Sequence, residues 1–237
     1  MKKTFASDSF VVYDDVLDEE SWSEVWTYFQ FEDLAPTTRT DGAWKWEDGQ
    51  ALAGPDFHAP SPEVAPDDAR LAHIDEGGMY PTEAPVDHVL DAVLGLLPEL
   101  TPIRDPWLHI AARAYVYPVG AALSWHRDDH DQYAGAFVYY AHPEWNVQWG
   151  GELLIAQMRD PMSLPMMPYR FENRDYSATL MEEGLGQYIL PRPNRLIVLG
   201  NQPHRVTPVL PAAGNRVRAS VAGFFVREQA DAQDDDA

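Results

Sequence analysis

The sequence predicts a mainly β fold, an antiparallel sandwich or barrel with the jelly roll as one candidate, preceded by a layer of helices. Three observations predict it. From about Pro106 the chain breaks into short runs rich in Val, Ile, Tyr and Phe, bounded by Gly, Pro and Asn, the texture of strands and tight connections. The two stretches with helical spacing both lie before that point, so helices come first and strands follow. With 237 residues, 45% of them hydrophobic and 12% aromatic, the chain can bury a sizeable core and suits one domain.

Taken in order, "SFVVYDDVL" (Ser9 to Leu17) reads as a strand. "DEESWSEVWTYFQF" follows, with Trp22, Val25, Trp26 and Phe29 at helical spacing and acidic residues in its first turn. Residues Glu32 to Pro81, rich in Pro, Gly and Asp and containing "DGAWKWEDG", read as loops with short strands. "PVDHVLDAVLGLLPEL" (Pro85 to Leu100) is a second amphipathic helix that begins near a proline. The strands expected next are "LHIAARAYVYP", "GAFVYYAH", "GGELLIA", "RLIVLG", "HRVTPVL" and "RVRASVAGFFV". Between "LLIA" and "RLIVLG" a loose segment, 157–194, is long enough to expect a lid or binding loop. The domain is expected to span 1–228 with its β core at about 106–228, and the acidic end, 229–237, to be a solvated, disordered tail.

Composition narrows the function. A net charge of −21 repels phosphate backbones and anionic lipids, which argues against nucleic acid as a partner. No apolar run approaches a membrane span, and "MKKTFASDSF" lacks the apolar region of a secretory signal. Cysteine is absent, which excludes disulfides, thiolate metal sites and thiol nucleophiles together. A cytoplasmic location is the default expectation.

The chemistry concentrates in "SWHRDDHDQY". His126 and Asp128 stand two apart, so in extended chain both side chains point to one side and can reach one ion. His204, directly after "RLIVLGNQP", is the candidate third ligand. Two imidazoles and a carboxylate on one face of an octahedron is the arrangement of non-haem Fe(II) oxygenases. Farther on, Arg216 and Arg218 stand in an otherwise apolar run, and a guanidinium facing a β core is costly unless a carboxylate pairs with it.

At this point the chain resembles the Fe(II)/2-oxoglutarate-dependent dioxygenases, in particular their prolyl-4-hydroxylase-like branch. The resemblance covers roughly Leu108 to Val226 and is carried by the ordered set "YVYP", "HRD", "FVYYAHPEW", "GGEL", "RLIVLGNQPHRV" and "RASVAGFF". It implies a double-stranded β-helix, cupin-like, with an N-terminal helical layer. His126, Asp128 and His204 match the iron ligands, and Arg218 matches the partner of the distal carboxylate of 2-oxoglutarate, with Arg216 as the alternative. Ser220 is placed to add a hydroxyl, and Tyr117 and Tyr140 sit where the branch often has tyrosines near the co-substrate. The implied reaction uses Fe(II), 2-oxoglutarate and O2, with ascorbate a candidate stimulant, to hydroxylate a C–H bond while releasing succinate and CO2. The substrate class is an amino acid, a peptidyl residue or another small molecule. A carboxylate at Asp128, where halogenase relatives carry a small residue, favours hydroxylation.

Competing readings have their own signatures. His130, four after His126, suggests a helical zinc pair, but the stretch lacks a helical stripe and the glutamate such a motif needs. His109 and His142 read as ordinary strand and turn residues, Gly150 and Gly151 as a turn. Trp44, Trp46 and Trp149 are candidates for a substrate wall. Should Glu172, Asp175, Glu182 and Glu183 face the pocket, a cationic substrate becomes plausible. A nucleic-acid dealkylase would need an Arg–Asn–Thr–Arg pattern where this chain has "NRVRASV". A zinc or manganese hydrolase would have no use for a buried arginine. From another class, the chain could be a non-catalytic β-barrel that only binds a metal or ligand.

Overall fold

The computed structural model describes residues 1–37, 48–65, 67–72, 74, 78–96, 102–128, 131–164 and 174–228. Along the chain lie β1 (Lys2–Ala6), β2 (Phe10–Asp14), α1 (Glu19–Phe31), β3 (Ala35–Pro36), β4 (Leu52–Pro60) and α2 (Asp87–Gly95). β5 (His109–Tyr117), β6 (Leu123–His126), β7 (Tyr133–Tyr140) and β8 (Leu153–Ala156) follow. The last elements are α3 (Arg174–Glu183), β9 (Gly186–Ile189), β10 (Arg195–Leu199), β11 (His204–Val206) and β12 (Arg218–Val226).

All strand pairs are antiparallel and form two sheets. The major sheet has eight strands in the order β1-β2-β10-β7-β12-β5-β4-β3, and the minor sheet four, β6-β11-β8-β9. This is the jelly-roll sandwich of a double-stranded β-helix. Its logic is the two-residue period of the long central strands. Ile110, Ala112 and Ala114 of β5, Phe137 and Tyr139 of β7, and Ala219, Val221 and Phe225 of β12 face one way, into a cluster with Val25 and Phe29 of α1 and Val89, Leu90 and Val93 of α2. The alternate positions, among them Tyr117, Ala136 and Tyr140, face the minor sheet and pack with Leu153, Ile155 and Val206. β2 and β10 lie inside the major sheet and are covered on both faces, which is why "FVVYD" and "RLIVL" read as continuous apolar runs without alternation.

α1 begins where the Asp18 carboxylate accepts the Ser21 amide (2.8 Å), a side-chain cap on its first turn. Its Trp22 indole donates to the Ala141 carbonyl (2.9 Å), tying the helix to the end of β7. At the far edge of this contact Asp14 receives Arg195 (2.6 Å) and Arg192 (2.8 Å), whose charges outweigh its burial and hold its carboxyl below the usual range.

Three elements depart from the sequence expectation. β4, nine residues long, occupies part of what reads as loop, because its Gly54–Pro55 step sits at a register shift between Ala53 and Asp56, where a missing N–H breaks no ladder bond. The second helix is described only over Asp87–Gly95, and 97–101 lie outside the described residues. The segment 157–194 is no single loop, since it holds α3 and the edge strand β9. Residues 229–237, expected as a tail, lie outside the described residues. Among the described residues no helix is long and apolar enough to cross a membrane.

Candidate active site

The minor sheet brings the three expected ligands together. His126 ends β6, His204 begins β11, and the two are direct cross-strand partners in the register. Their ring centroids are 4.3 Å apart. Each ring is oriented by its own strand: His126 Nδ1 donates to the Ser124 carbonyl (2.8 Å) and His204 Nδ1 to the Gln202 carbonyl (2.9 Å). A carbonyl can only accept, so Nδ1 carries the proton and Nε2 presents its lone pair to the site. Asp128, just past β6, has Oδ1 3.7 Å from His126 Nε2. One ligand atom from each of the three lies within 4.8 Å of the others, and all three residues are buried. Asp128 Oδ2 is buried without a hydrogen-bond partner, an expensive state for a carboxylate unless a cation shares the site. Two imidazoles and a carboxylate form a donor set that suits Fe(II).

Across the sandwich, β12 supplies Arg218, only 1% exposed. Its Nε donates to the Gly151 carbonyl (3.0 Å), Nη1 to Ser220 Oγ (3.3 Å) and Nη2 to the Tyr140 hydroxyl (3.4 Å). The guanidinium lies over the rings of Tyr117 and Tyr140, 4.8 Å from each centroid. Among the described residues no carboxylate pairs with it. Desolvating a guanidinium with only neutral acceptors is unfavourable, so the site is built for an anion that arrives from outside. A dicarboxylate fits that requirement. Burial pushes the Tyr117 phenol far above its ordinary pKa despite the Arg218 charge, so it stays a neutral donor and cation-facing ring.

Gly151 makes this packing possible. It adopts φ +76°, and a Cβ there would stand 3.0 Å from Arg218 Cδ and 3.3 Å from Trp145 Cζ2. Behind the arginine, His142 wedges between strands with Nδ1 3.1 Å from the Ala219 carbonyl and Nε2 2.8 Å from that of Pro191. Burial, aided by the Arg218 charge, pushes its imidazole down to about 4.

Triad and arginine open onto one cavity of about 800 Å³. Tyr117, Ser220 and Arg218 line it together with His126, Asp128 and His204, while Tyr140 is not among the lining residues and reaches it through its bond to Arg218. Tyr115, Tyr133 and Phe224 give it an aromatic wall, with Tyr133 stacked on Phe224 at 4.4 Å. Asp56 and Arg113, paired to each other, also line it.

Several sequence expectations are corrected here. Arg216 precedes β12 and turns outward, donating to Glu144 (2.9 Å) with its side chain half exposed, so it does not share the Arg218 position. Trp149 packs edge-on against Trp145 and under Arg216 and is not a wall of the cavity. Asp175 and Glu182 are exposed, Glu183 accepts the Arg159 amide (3.1 Å), and none of the three lines the cavity, so these three lend no support to a cationic substrate. Trp44, Trp46, His130 and Glu172 lie outside the described residues. His109 is a buried strand residue, as expected. The sequence analysis singled out none of the lining residues Tyr115, Tyr133, Phe224, Asp56 and Arg113, nor Arg127, 7% exposed, between two of the proposed ligands. For Arg127, its position inside the "HRD" triplet was the only available signal.

Comparisons with known proteins agree with this fold. Residues 112–226 match the model of the 2OG-Fe(II) oxygenase superfamily. No curated protein sequence matches the chain. Among solved structures, a prolyl-4-hydroxylase from Pseudomonas putida is similar with a TM-score of 0.56 at 18% identity, covering 92% of each chain. A prolyl hydroxylase from Trichoplax adhaerens, in complex with a hypoxia-inducible-factor oxygen degradation domain peptide, gives 0.57 at 15% identity, covering 94% of this chain and 86% of the other. HygX from Streptomyces hygroscopicus, with nickel and 2-oxoglutarate bound, gives 0.50 at 13% identity, covering 92% and 83%.

Proposed function

We propose that this chain is a member of the 2OG-Fe(II) oxygenase superfamily, whose model matches residues 112–226, and from that premise we assign roles to its residues and a substrate class. The enzyme is an Fe(II)- and 2-oxoglutarate-dependent dioxygenase. His126, Asp128 and His204 hold the ferrous ion, and Arg218 anchors the distal carboxylate of 2-oxoglutarate, helped by Ser220 and the Tyr140 hydroxyl. The ion, when bound, supplies the centre at which 2-oxoglutarate and O2 react, with succinate and CO2 released and a C–H bond of the second substrate hydroxylated.

The protein's own contribution is placement and exclusion. The carbonyls of Ser124 and Gln202 fix both imidazole tautomers, so each ring turns its Nε2 lone pair toward the metal position. Gly151, Ser220 and Tyr140 fix the Arg218 guanidinium before any ligand arrives, so little is lost in ordering it when the diacid binds. Tyr115, Tyr133 and Phe224 present an apolar wall to the second substrate and keep water from the reacting carbon. A cavity of about 800 Å³ admits 2-oxoglutarate together with a small molecule or one side chain of a short peptide. Residues 1–228 act as one oxygenase domain, and a cytoplasmic location fits a chain without cysteine.

The observation that carries this proposal is Arg218, buried without a carboxylate among the described residues, in the same cavity as the triad. The test is succinate formation from 2-oxoglutarate under Fe(II), O2 and ascorbate, with calorimetric binding of Fe(II) and 2-oxoglutarate under nitrogen beside it. His126→Ala, Asp128→Ala and His204→Ala each abolish metal uptake if the proposal holds. Binding of both ligands without any succinate, even unstimulated, would favour a non-catalytic binding protein instead.

A further inference from the structure

Among the arginines with described side chains, Arg159 and Arg205 pair with no carboxylate of the described residues and do not line the cavity, and the rest divide in two. Arg70, Arg104, Arg113, Arg192, Arg195, Arg216 and Arg227 each meet a carboxylate within 3.1 Å. The two most deeply buried, Arg218 at 1% and Arg127 at 7% exposure, are the two that line the cavity without one among the described residues. Arg218 is accounted for by the diacid. Arg127 is not.

Arg127 is also poorly satisfied by its neighbours. Nη1 reaches the Met162 thioether (3.3 Å), a weak acceptor, and Nη2 the Leu164 carbonyl at 3.5 Å, the outer limit of a hydrogen bond. Nε is buried with no partner among the described residues. Nearby, Tyr176 of α3 is 3% exposed, its hydroxyl also lacks a partner, and it lies close enough to feel the charges of both Arg127 and Asp128. Arg127, kept dry on the wall of the cavity that holds the triad and left with an unused donor, forms an incomplete anion site, and the buried Tyr176 phenol that feels its charge is the candidate second donor.

We propose that Arg127, assisted by Tyr176, is a specificity subsite that binds a carboxylate on the molecule being hydroxylated. The proposal rests on the assignment of Arg218 to 2-oxoglutarate made above. Two carboxylate-bearing ligands then share the cavity, each with its own guanidinium, because Arg127 and Arg218 both line it together with the triad. A carboxylate supplies two acceptors to the guanidinium and an acceptor to the phenol, replacing a thioether and a strained carbonyl contact.

The experiment is calorimetry on the full chain loaded with Mn(II) and 2-oxoglutarate under nitrogen, titrated with the free L-amino acids, their N-acetyl derivatives and the corresponding C-terminal amides. The acids bind about 10- to 100-fold more tightly than the matching amides, the range expected for one charged hydrogen-bonded pair. Arg127→Gln removes that ratio and leaves 2-oxoglutarate affinity unchanged. Arg127→Lys, a smaller perturbation should the first variant fold poorly, retains part of it, and Tyr176→Phe lowers it about threefold to tenfold. Equal affinity for acids and amides in the unaltered protein overturns the proposal. So does absence of binding by every acid, a loss of 2-oxoglutarate affinity in Arg127→Gln, or a variant that weakens acids and amides alike, as a mere clamp on the 161–164 segment would. Failure of the unaltered, metal-loaded protein to bind 2-oxoglutarate is a separate outcome that strikes the Arg218 assignment first and this proposal with it.

Discussion

Gly151→Ala probes the Arg218 site without touching any charged group. The added methyl carries two separable consequences. A left-handed backbone at φ +76° disfavours any side chain, by about 1–2 kcal/mol. The new Cβ also stands 3.0 Å from Arg218 Cδ and 3.3 Å from Trp145, so the arginine must yield by a few tenths of an ångström in a packed site, adding about 1–2 kcal/mol. The expected loss of stability is therefore about 2–4 kcal/mol, read from urea denaturation. Displacing Arg218 also stretches its bond to the Gly151 carbonyl and misaims it at the diacid, which weakens 2-oxoglutarate by about tenfold, equivalent to about 1.4 kcal/mol. Gly214→Ala is the control: φ is +63° and nothing lies within 4 Å of the new Cβ. It carries the backbone cost alone and leaves 2-oxoglutarate binding as it was. If Gly151→Ala matches Gly214→Ala in both measurements, the close packing of Gly151 on Arg218 does not shape the site.

Arg218→Gln removes the charge and lowers 2-oxoglutarate affinity by about a hundredfold, whereas Arg216→Gln, which loses only an exposed pair with Glu144, leaves it unchanged; calorimetry on both variants separates the two arginines. His142 carries a pH signature. Its folded pKa, about 4, lies below the ordinary 6.5, so the stabilisation is complete above 6.5 and is lost as pH falls toward 4. Between about pH 7.5 and about pH 5 the unaltered protein loses about 2 kcal/mol to this group, and His142→Gln shows a correspondingly flatter decline in urea midpoint. Equal slopes would mean that His142 is protonated in the folded state already. Arg195→Met leaves the Asp14 carboxylate, almost wholly buried, with Arg192 as its one cation among the described residues, and lowers stability by about 2 kcal/mol in the same denaturation assay.

What the sequence disclosed follows from where polarity and periodicity coincide. His126, Asp128 and His204 stood out because they flank apolar β runs, and the antiparallel register of β6 and β11 then set the histidines side by side. Arg218 was legible for the same reason, a charge at a core position of "RASVAGFF". Parity alone could not separate it from Arg216, since the strand begins only at 218 and the chain before it is turning. β4 was hidden by prolines that a register shift accommodates, and α3 and β9 by how little they bury: one tyrosine in the described part of the helix and Ile189 in the strand. An element with almost no buried face leaves no periodic trace. Trp149 misled because an aromatic beside "GGEL" packs equally well against its own neighbours. Arg127 was invisible as a buried group because what covers it, the 161–164 segment, is remote in sequence.

The interleaving along β12 has an evolutionary corollary. Ala219, Val221 and Phe225, at odd positions, hold the helices to the sheet, while Arg218, Ser220, Ala222 and Phe224, at even positions, address whatever occupies the cavity. Inheritance can therefore rewrite the even set, and with it the chemistry performed, without unsettling the odd set that keeps the scaffold standing. One strand thus carries two independent texts, and a lineage that changes its diet need edit only every second letter.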